Sequence, residues 1–304
     1  MELIAGENDS GRRLDRILRK ALSDLPLPLI HKLLRQKLIL LDGKPGKARD
    51  RVENGVIITI PNIKIGKIKS DESHIKKQFN PKKILLPDNL ILWQDDNLLA
   101  VNKPKGISVH GTDSLEIQVR EYLKGKMSES LSFKSGPLHR LDKPSSGIVV
   151  FSKTLEGARL FSSLLRERKV KKTYLAVVEG IIKNEETWQD ELYRDKDRKK
   201  TFVVDSKLSK KAVTKIKPVI SAGGLSLISA QIITGRTHQI RSQAAFRGHP
   251  LAGDIKYGGK KITDSGKSVN TKNTADFYLH AWKLEFLERE IIAPIPEDFL
   301  IRIN

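Results

Sequence analysis

The stretch His139-Arg140-Leu141-Asp142-Lys143-Pro144-Ser145-Ser146-Gly147 places one carboxylate between two cations and follows it with a run of turn formers. A carboxylate in such a field stays ionised when the cations approach it, and a fixed anion can attack or stabilise an electron-poor carbon. Pro144 to Gly147 put Asp142 on a loop that runs into an apolar strand, where a rigid sheet can carry a functional group. The same pattern also describes a surface ion pair, so the residues alone leave both readings open. A second basic stretch, TGRTHQIRSQAAF from Thr234 to Phe246, begins with a turn signal before a helix carrying Ile240, Ala244 and Ala245. Its arginines can meet Asp142 or simply cover a helix surface. The segment KKTYLAVVEG reads as a strand with Tyr174 near its entrance, a position equally suited to core packing.

The elements that must hold these residues divide the chain in two. In GRRLDRILRKAL the spacing of Leu14, Ile17, Leu18 and Leu22 predicts a helix with one apolar face, leaving Arg12, Arg13, Arg16, Arg19 and Lys20 outside it. A second helix is expected over about 28–36, carrying His31, Lys32 and Arg35, followed by short strands around the Asp42-Gly43 turn. This predicts a small helix-helix-strand domain over 1–62. Residues 63–85 read as a basic linker, because 61–85 holds seven lysines against two acids without a sustained apolar period. From 86 to 304 strand-like runs alternate irregularly with helical patterns, which predicts an α+β domain with a largely antiparallel mixed sheet. Residues 183–211 are heavily charged and read as a substrate-contacting insertion or a solvated hairpin.

Composition limits the partners. Among 304 residues, 56 Lys and Arg against 36 Asp and Glu leave a net charge of +20, which favours a polyanion: nucleic acid, an anionic membrane or an acidic protein. Met1 to Ser10 is polar with three acids, unlike a signal peptide, and no apolar run approaches the roughly 20 residues of a spanning helix. The absence of cysteine excludes disulfides, thiolate nucleophiles and Cys-ligated zinc, and suits a reducing compartment, so the cytoplasm is expected. The seven histidines are scattered without helical i, i+4 pairing, and no Gly-rich phosphate loop occurs, so neither a metal nor a cofactor is expected.

Taken together, HRLDKPSSGIVVFSK, KKTYLAVVEG and GRTHQIRSQAAFRGHPLAGDIKYG resemble, in order, the signature loop, tyrosine strand and basic motif of the RluA family of pseudouridine synthases. NLLAVNKPKGISVHG resembles the family's entry strand, LHAWKLEF its closing strand, and residues 11–44 resemble the S4 RNA-binding domain that several members carry. The resemblance implies isomerisation of uridine to pseudouridine in structured RNA by breaking the C1′–N1 bond, turning the uracil and joining C5 to C1′, without a cofactor. It implies Asp142 as the essential carboxylate, Arg241 as its ion-pair partner and Tyr174 against the base, with its phenol also able to serve as a base. Arg140 would enter the stack vacated by the flipped nucleotide, a role suited to a planar, hydrogen-bonding cation. His139, Arg12, Arg13, Arg16, Lys32 and Arg35 complete the expected RNA contacts. Two departures stand out: Lys143-Pro144-Ser145 after the aspartate, and Ser242-Gln243 where Val-His is frequent. The layout is nearest to members acting on large-subunit ribosomal RNA, so a monomer acting on 23S-type RNA is expected. The alternatives are the same chemistry on transfer RNA, a noncatalytic RNA-binding or ribosome-assembly protein, and a DNA-binding protein.

Overall fold

In the computed structural model the described residues are 1–62, 85–260 and 276–301; the expected linker lies, apart from Leu85, outside them. Residues 1–62 comprise β1 (Glu2–Ile4), β2 (Arg12–Arg13), α1 (Leu14–Ala21), α2 (Leu27–Arg35), β3 (Leu40–Leu41), β4 (Lys44–Pro45), β5 (Arg51–Val52) and β6 (Ile57–Thr59). One sheet runs β1-β6-β3-β4, and β2 pairs with β5. Leu14, Ile17 and Leu18 of α1 and Ile30, Leu33 and Leu34 of α2 are buried together, which is the apolar face the spacing predicts. Asp42 and Gly43 both have positive φ, as a two-residue hairpin of this hand requires.

The helix starts later than the sequence suggests. Arg12 and Arg13 belong to β2, where Arg12 pairs with Val52 and Arg13 with Arg51, so neither lies on the outer face of α1. Pairing with β5 holds this pair extended, and Arg13 folds its guanidinium onto Asp15 at 2.6 Å.

The second unit is built on a ten-stranded sheet. Its elements are β7 (Ile91–Gln94), β8 (Leu98–Lys103), α3 (Leu115–Tyr122), β9 (Ser146–Ser152), α4 (Leu155–Arg166), β10 (Lys171–Glu179), β11 (Glu186–Asp195), β12 (Lys200–Val203), β13 (Lys210–Ala222), β14 (Leu225–Ile232), α5 (Gln239–Phe246), β15 (Leu279–Phe286), β16 (Arg289–Ile292) and α6 (Glu297–Ile301). The order is β12-β11-β13-β14-β10-β15-β9-β8-β7, with β16 added to β15. Every pairing is antiparallel except β15 with β9, where His280 faces Ser146 and Ala281 faces Gly147. At that crossing a Cβ on Gly147, whose φ is +104°, would lie 2.3 Å from the Ala281 carbonyl oxygen, so the junction needs glycine. All seven residues of β9 are buried, which gives the loop before it a rigid mount.

The charged 183–211 segment is a continuation of the sheet rather than a free hairpin. β11 pairs with β13 over Glu186 to Leu192 and carries β12 at the edge. Trp188 and Leu192 are buried on one face of β11, and Asp190 between them is enclosed by Gln243 and Arg247.

The two units meet at a polar seam. Asp9 is fully buried, and its carboxylate accepts from the Ser130 and Ser132 hydroxyls and from the backbone N–H groups of Leu131 and Ser132. Burial alone would raise this carboxyl, but these donors and the Gly6 N–H outweigh it and hold it below its ordinary value. Beside it, Asn8 Oδ1 accepts from the first N–H of α4, at Leu155, at 2.8 Å.

Candidate active site

Asp142 sits on the loop that enters β9, and its position is fixed from two sides. Its Oδ2 accepts from Arg241 NH1 at 2.7 Å, while Oδ1 has no protein donor among the described residues. The following residue, Lys143, offers its carbonyl to the Gly106 N–H at 2.9 Å and to the Lys103 ammonium at 3.2 Å. Lys103 is fully buried and also donates to the Pro104 and Ile107 carbonyls, so one cation ties the aspartate loop to the turn after β8. Burial pulls that ammonium down to about 8, against the opposing pull of Asp142.

Arg241 comes from the first turn of α5, and its side chain is almost completely enclosed. Its Nε and NH2 make a two-pronged contact to Asp254 at 2.6 and 2.9 Å, leaving NH1 for Asp142. The guanidinium also stacks over Phe277 at 4.2 Å and Tyr257 at 4.9 Å. Burial works against this charge, and Asp254 and Asp142 overcome it and hold the guanidinium protonated. Asp254 is therefore the residue that orients the arginine, using the bidentate geometry that only a guanidinium matches.

His238 precedes α5 with a left-handed backbone, φ +53°, and brings its ring to the same carboxylate. Nδ1 lies 2.8 Å from the Tyr257 hydroxyl and 3.5 Å from Arg194 NH1. An arginine can only donate, so Nδ1 is the acceptor and Nε2 carries the proton, pointing at Asp142 Oδ2 from 3.6 Å. Burial first, then Arg241, Arg194 and Lys256, lower this imidazole to about 4 against Asp142, which keeps it neutral near pH 7. The β11–β12 edge contributes here through Arg194 and through Thr201, whose N–H donates to the Tyr257 oxygen.

A cavity of about 280 Å³ opens over Asp142 and is lined by Tyr174, Ile232, Leu279, Arg140 and Ser145 among others. Tyr174 on β10 is buried, and burial first, then the field of Asp142, push its phenol above the ordinary value. A base role would need the phenolate, which this setting disfavours; a neutral ring against an apolar wall is what it offers. Ser145 is buried, and its hydroxyl has no hydrogen-bond partner among the described residues. Arg140 is exposed at the rim. His139 does not present a cation there: its Nε2 accepts from the Val150 N–H at 3.1 Å and its ring stacks on Phe161, with burial and then Lys172 lowering it to about 3. It anchors the loop to β9. Among the described residues no group of three or more His, Asp or Glu side chains is placed to hold a metal ion.

Residues 97–246 match the family described as RNA pseudouridylate synthase. The ribosomal large subunit pseudouridine synthase C of Haemophilus influenzae is 30% identical over 93% of this chain and 86% of its own length. That of Vibrio vulnificus is 31% identical over 96% and 92%. The chain belongs to the RNA pseudouridylate synthase family. Among solved structures, human RNA pseudouridylate synthase domain containing 4 matches with a TM-score of 0.56 and 26% identity over 70% of this chain and 90% of its own. The chain is thus a pseudouridine synthase, an isomerase acting on RNA, with the mixed sheet of that family.

Within this pseudouridine synthase the structure brings Asp142, Tyr174, Arg241 and Arg140 to one cavity. Arg16, Lys32 and Arg35 are exposed on the N-terminal helices, whereas Arg12 is half-buried and Arg13 is engaged by Asp15. The Ser242-Gln243 departure faces the sheet: Gln243 is fully buried and bonded to Thr214, Asp190 and the Trp188 carbonyl, away from the cavity. Asp254, His238, Tyr257, Lys103 and Ser145 were not singled out by the sequence. For Asp254 a signal existed: it is the only acid between Thr234 and Gly259, a stretch with three arginines.

Proposed function

We propose that this enzyme isomerises uridine in large-subunit ribosomal RNA, with Asp142 as the carboxylate acting at C1′. The observation that carries the reading is the asymmetry of Asp142: one oxygen is held by Arg241, and the other is open to a cavity walled by Tyr174. In this scheme the free oxygen meets C1′ as the C1′–N1 bond breaks, and the detached uracil turns against Tyr174. C5 then bonds to C1′, the C5 proton is lost and N1 gains one, so no outside donor is consumed. Arg241 keeps the second oxygen engaged throughout and the Nε2–H of His238 faces it from 3.6 Å, a preorganised field of the kind that lowers such barriers. Tyr174 acts as a neutral platform.

Arg140 fills the gap left in the RNA stack, since the glycosidic bond of a stacked nucleotide is out of reach. The N-terminal unit, read as an S4-like domain, grips the phosphate backbone through Arg16, Lys32 and Arg35, with the charge of +20 drawing RNA to the whole surface. The ribosomal choice rests on the names of the relatives. The enzyme works as a monomer in the cytoplasm, in keeping with a chain without cysteine and, among the described residues, without a helix long and apolar enough to cross a membrane. Large-subunit rRNA and transfer RNA transcripts labelled with tritium at uracil C5 test the substrate. Release to water from the ribosomal transcript is expected; release only from transfer RNA would reassign the substrate.

A further inference from the structure

A second cleft, of about 200 Å³, lies beside the Asp142 cavity and shares Lys172, Gly235 and Arg236 with it. Its polar lining is cationic: Arg166 and Arg168 from the end of α4, Lys172 from β10 and Arg236 from the turn before α5, with no carboxylate in the wall. The geometry points to this cleft as the seat of the backbone phosphate next to the target uridine. The inference rests on the RNA-modifying reading above.

Most neighbouring cations are already neutralised. Lys169 is paired with Glu167 at 2.7 Å and Lys171 with Glu285 at 3.8 Å. Glu167, the acid between Arg166 and Arg168, is held by Lys169 and by the Ser163 hydroxyl. By contrast, the side chains of Arg166, Arg168 and Lys172 make no hydrogen bond or ion pair among the described residues. Among the described residues Arg236 spends only its Nε, on the Lys211 carbonyl at 3.1 Å, leaving both terminal nitrogens. The Lys172 ammonium lies over the Gly235 backbone, 3.7 Å from where a Cβ would stand, so the β10 cation and the α5 turn converge. Burial lowers Lys172, a penalty that an entering anion would offset.

Two further features fit an anion. The last carbonyls of α4 would repel one, but Leu165 and Leu164 carbonyls are already bonded to the Arg168 and Lys169 N–H groups. Arg168 itself has φ +57°, the left-handed position where helices favour glycine. Spacing also fits, because the cleft begins where the cavity ends, as a phosphate follows its sugar.

The test uses the full chain and a stem-loop RNA with a single uridine in an adenosine loop, with binding read by fluorescence anisotropy. Arg168→Gly and Arg166→Gln/Arg168→Gly should weaken binding about 5- to 10-fold and flatten the log-affinity against log-salt line by about one unit for the double variant. A neutral methylphosphonate on one side of the uridine should weaken the parent equally, and the two losses should not add. Arg168→Gly should also melt no lower than the parent, which separates lost contact from misfolding. Unchanged binding, or losses that add, overturns the cleft. Tritium release from C5 is followed separately: release by the parent without a phosphate effect removes the cleft alone, whereas a phosphate effect without release from any RNA removes the catalytic reading alone.

Discussion

Asp9 and Asp142 are both aspartates placed at a junction, and they differ in what is left over. Asp9 is sealed, and both its oxygens are taken by neutral hydroxyl and backbone donors of residues 130–132. Asp142 keeps a side-chain exposure of 23%, has a cation on one oxygen and no donor from the described residues on the other. A saturated carboxylate joins two parts of a molecule; one held by a single oxygen and open to a cavity is ready for an incoming carbon. The support follows the same division. Asp9 relies on residues 130–132 and the nearby Gly6 N–H, while Asp142 relies on a relay of Arg241, Asp254, His238 and Lys103.

The largest break in this comparison should come from that relay. Asp254→Ala leaves Arg241 buried with half its fork empty, and should destabilise the fold by about 3–5 kcal/mol in urea unfolding and cost activity as well. Acid should loosen the relay next. His139, His238 and His280 titrate near 3, 4 and 4 in the folded chain. Unfolded imidazoles titrate near 6.5, so the unfolded chain takes up protons that the folded chain refuses. Stability should be full above about pH 6.5 and fall as the pH drops toward 4, by roughly 1 kcal/mol per imidazole at pH 5.5, as a pH series of urea midpoints would show. A flat series would mean the rings are not held neutral.

At the seam, Asp9→Asn should cost on the order of 2 kcal/mol, because it replaces a charged acceptor and sets an amide N–H against other donors. Turnover per bound RNA should stay close to the parent's, since the residue is outside the cavity. The smallest effect is expected from relaxing the α4 terminus: Arg168→Gly should stabilise the fold by about 0.5–1 kcal/mol in thermal melts.

Much of this was readable in advance, where the cause is local. Period and turn chemistry marked α1, α2, the Asp42-Gly43 hairpin and the β9 strand, while Asp142 and Arg241 were marked by the resemblance of two separate motifs to a family and not by spacing. The parts that escaped depend on partners far apart in the chain. Asp9 finds residues 130–132, Lys103 finds the carbonyl of Lys143, and Arg194 finds His238, and no spacing rule encodes such meetings. Local reading also misled where pairing overrode it: Arg12 and Arg13 look helical until β5 claims them, and 183–211 reads as an insertion or a solvated hairpin until Trp188 locks it into the sheet. His139 looks basic on paper and is neutral because the fold buries it against Phe161.

The most direct test of the central claim is C5 tritium release from large-subunit rRNA by the parent and by Asp142→Asn, with RNA affinity and melting temperature measured on the same samples. The account predicts release by the parent and a loss of at least about 1,000-fold in the variant, roughly 4 kcal/mol of barrier, with affinity within a few fold and melting little changed. Substantial release by the folded, RNA-binding variant would contradict it and place the reacting group elsewhere in the cavity.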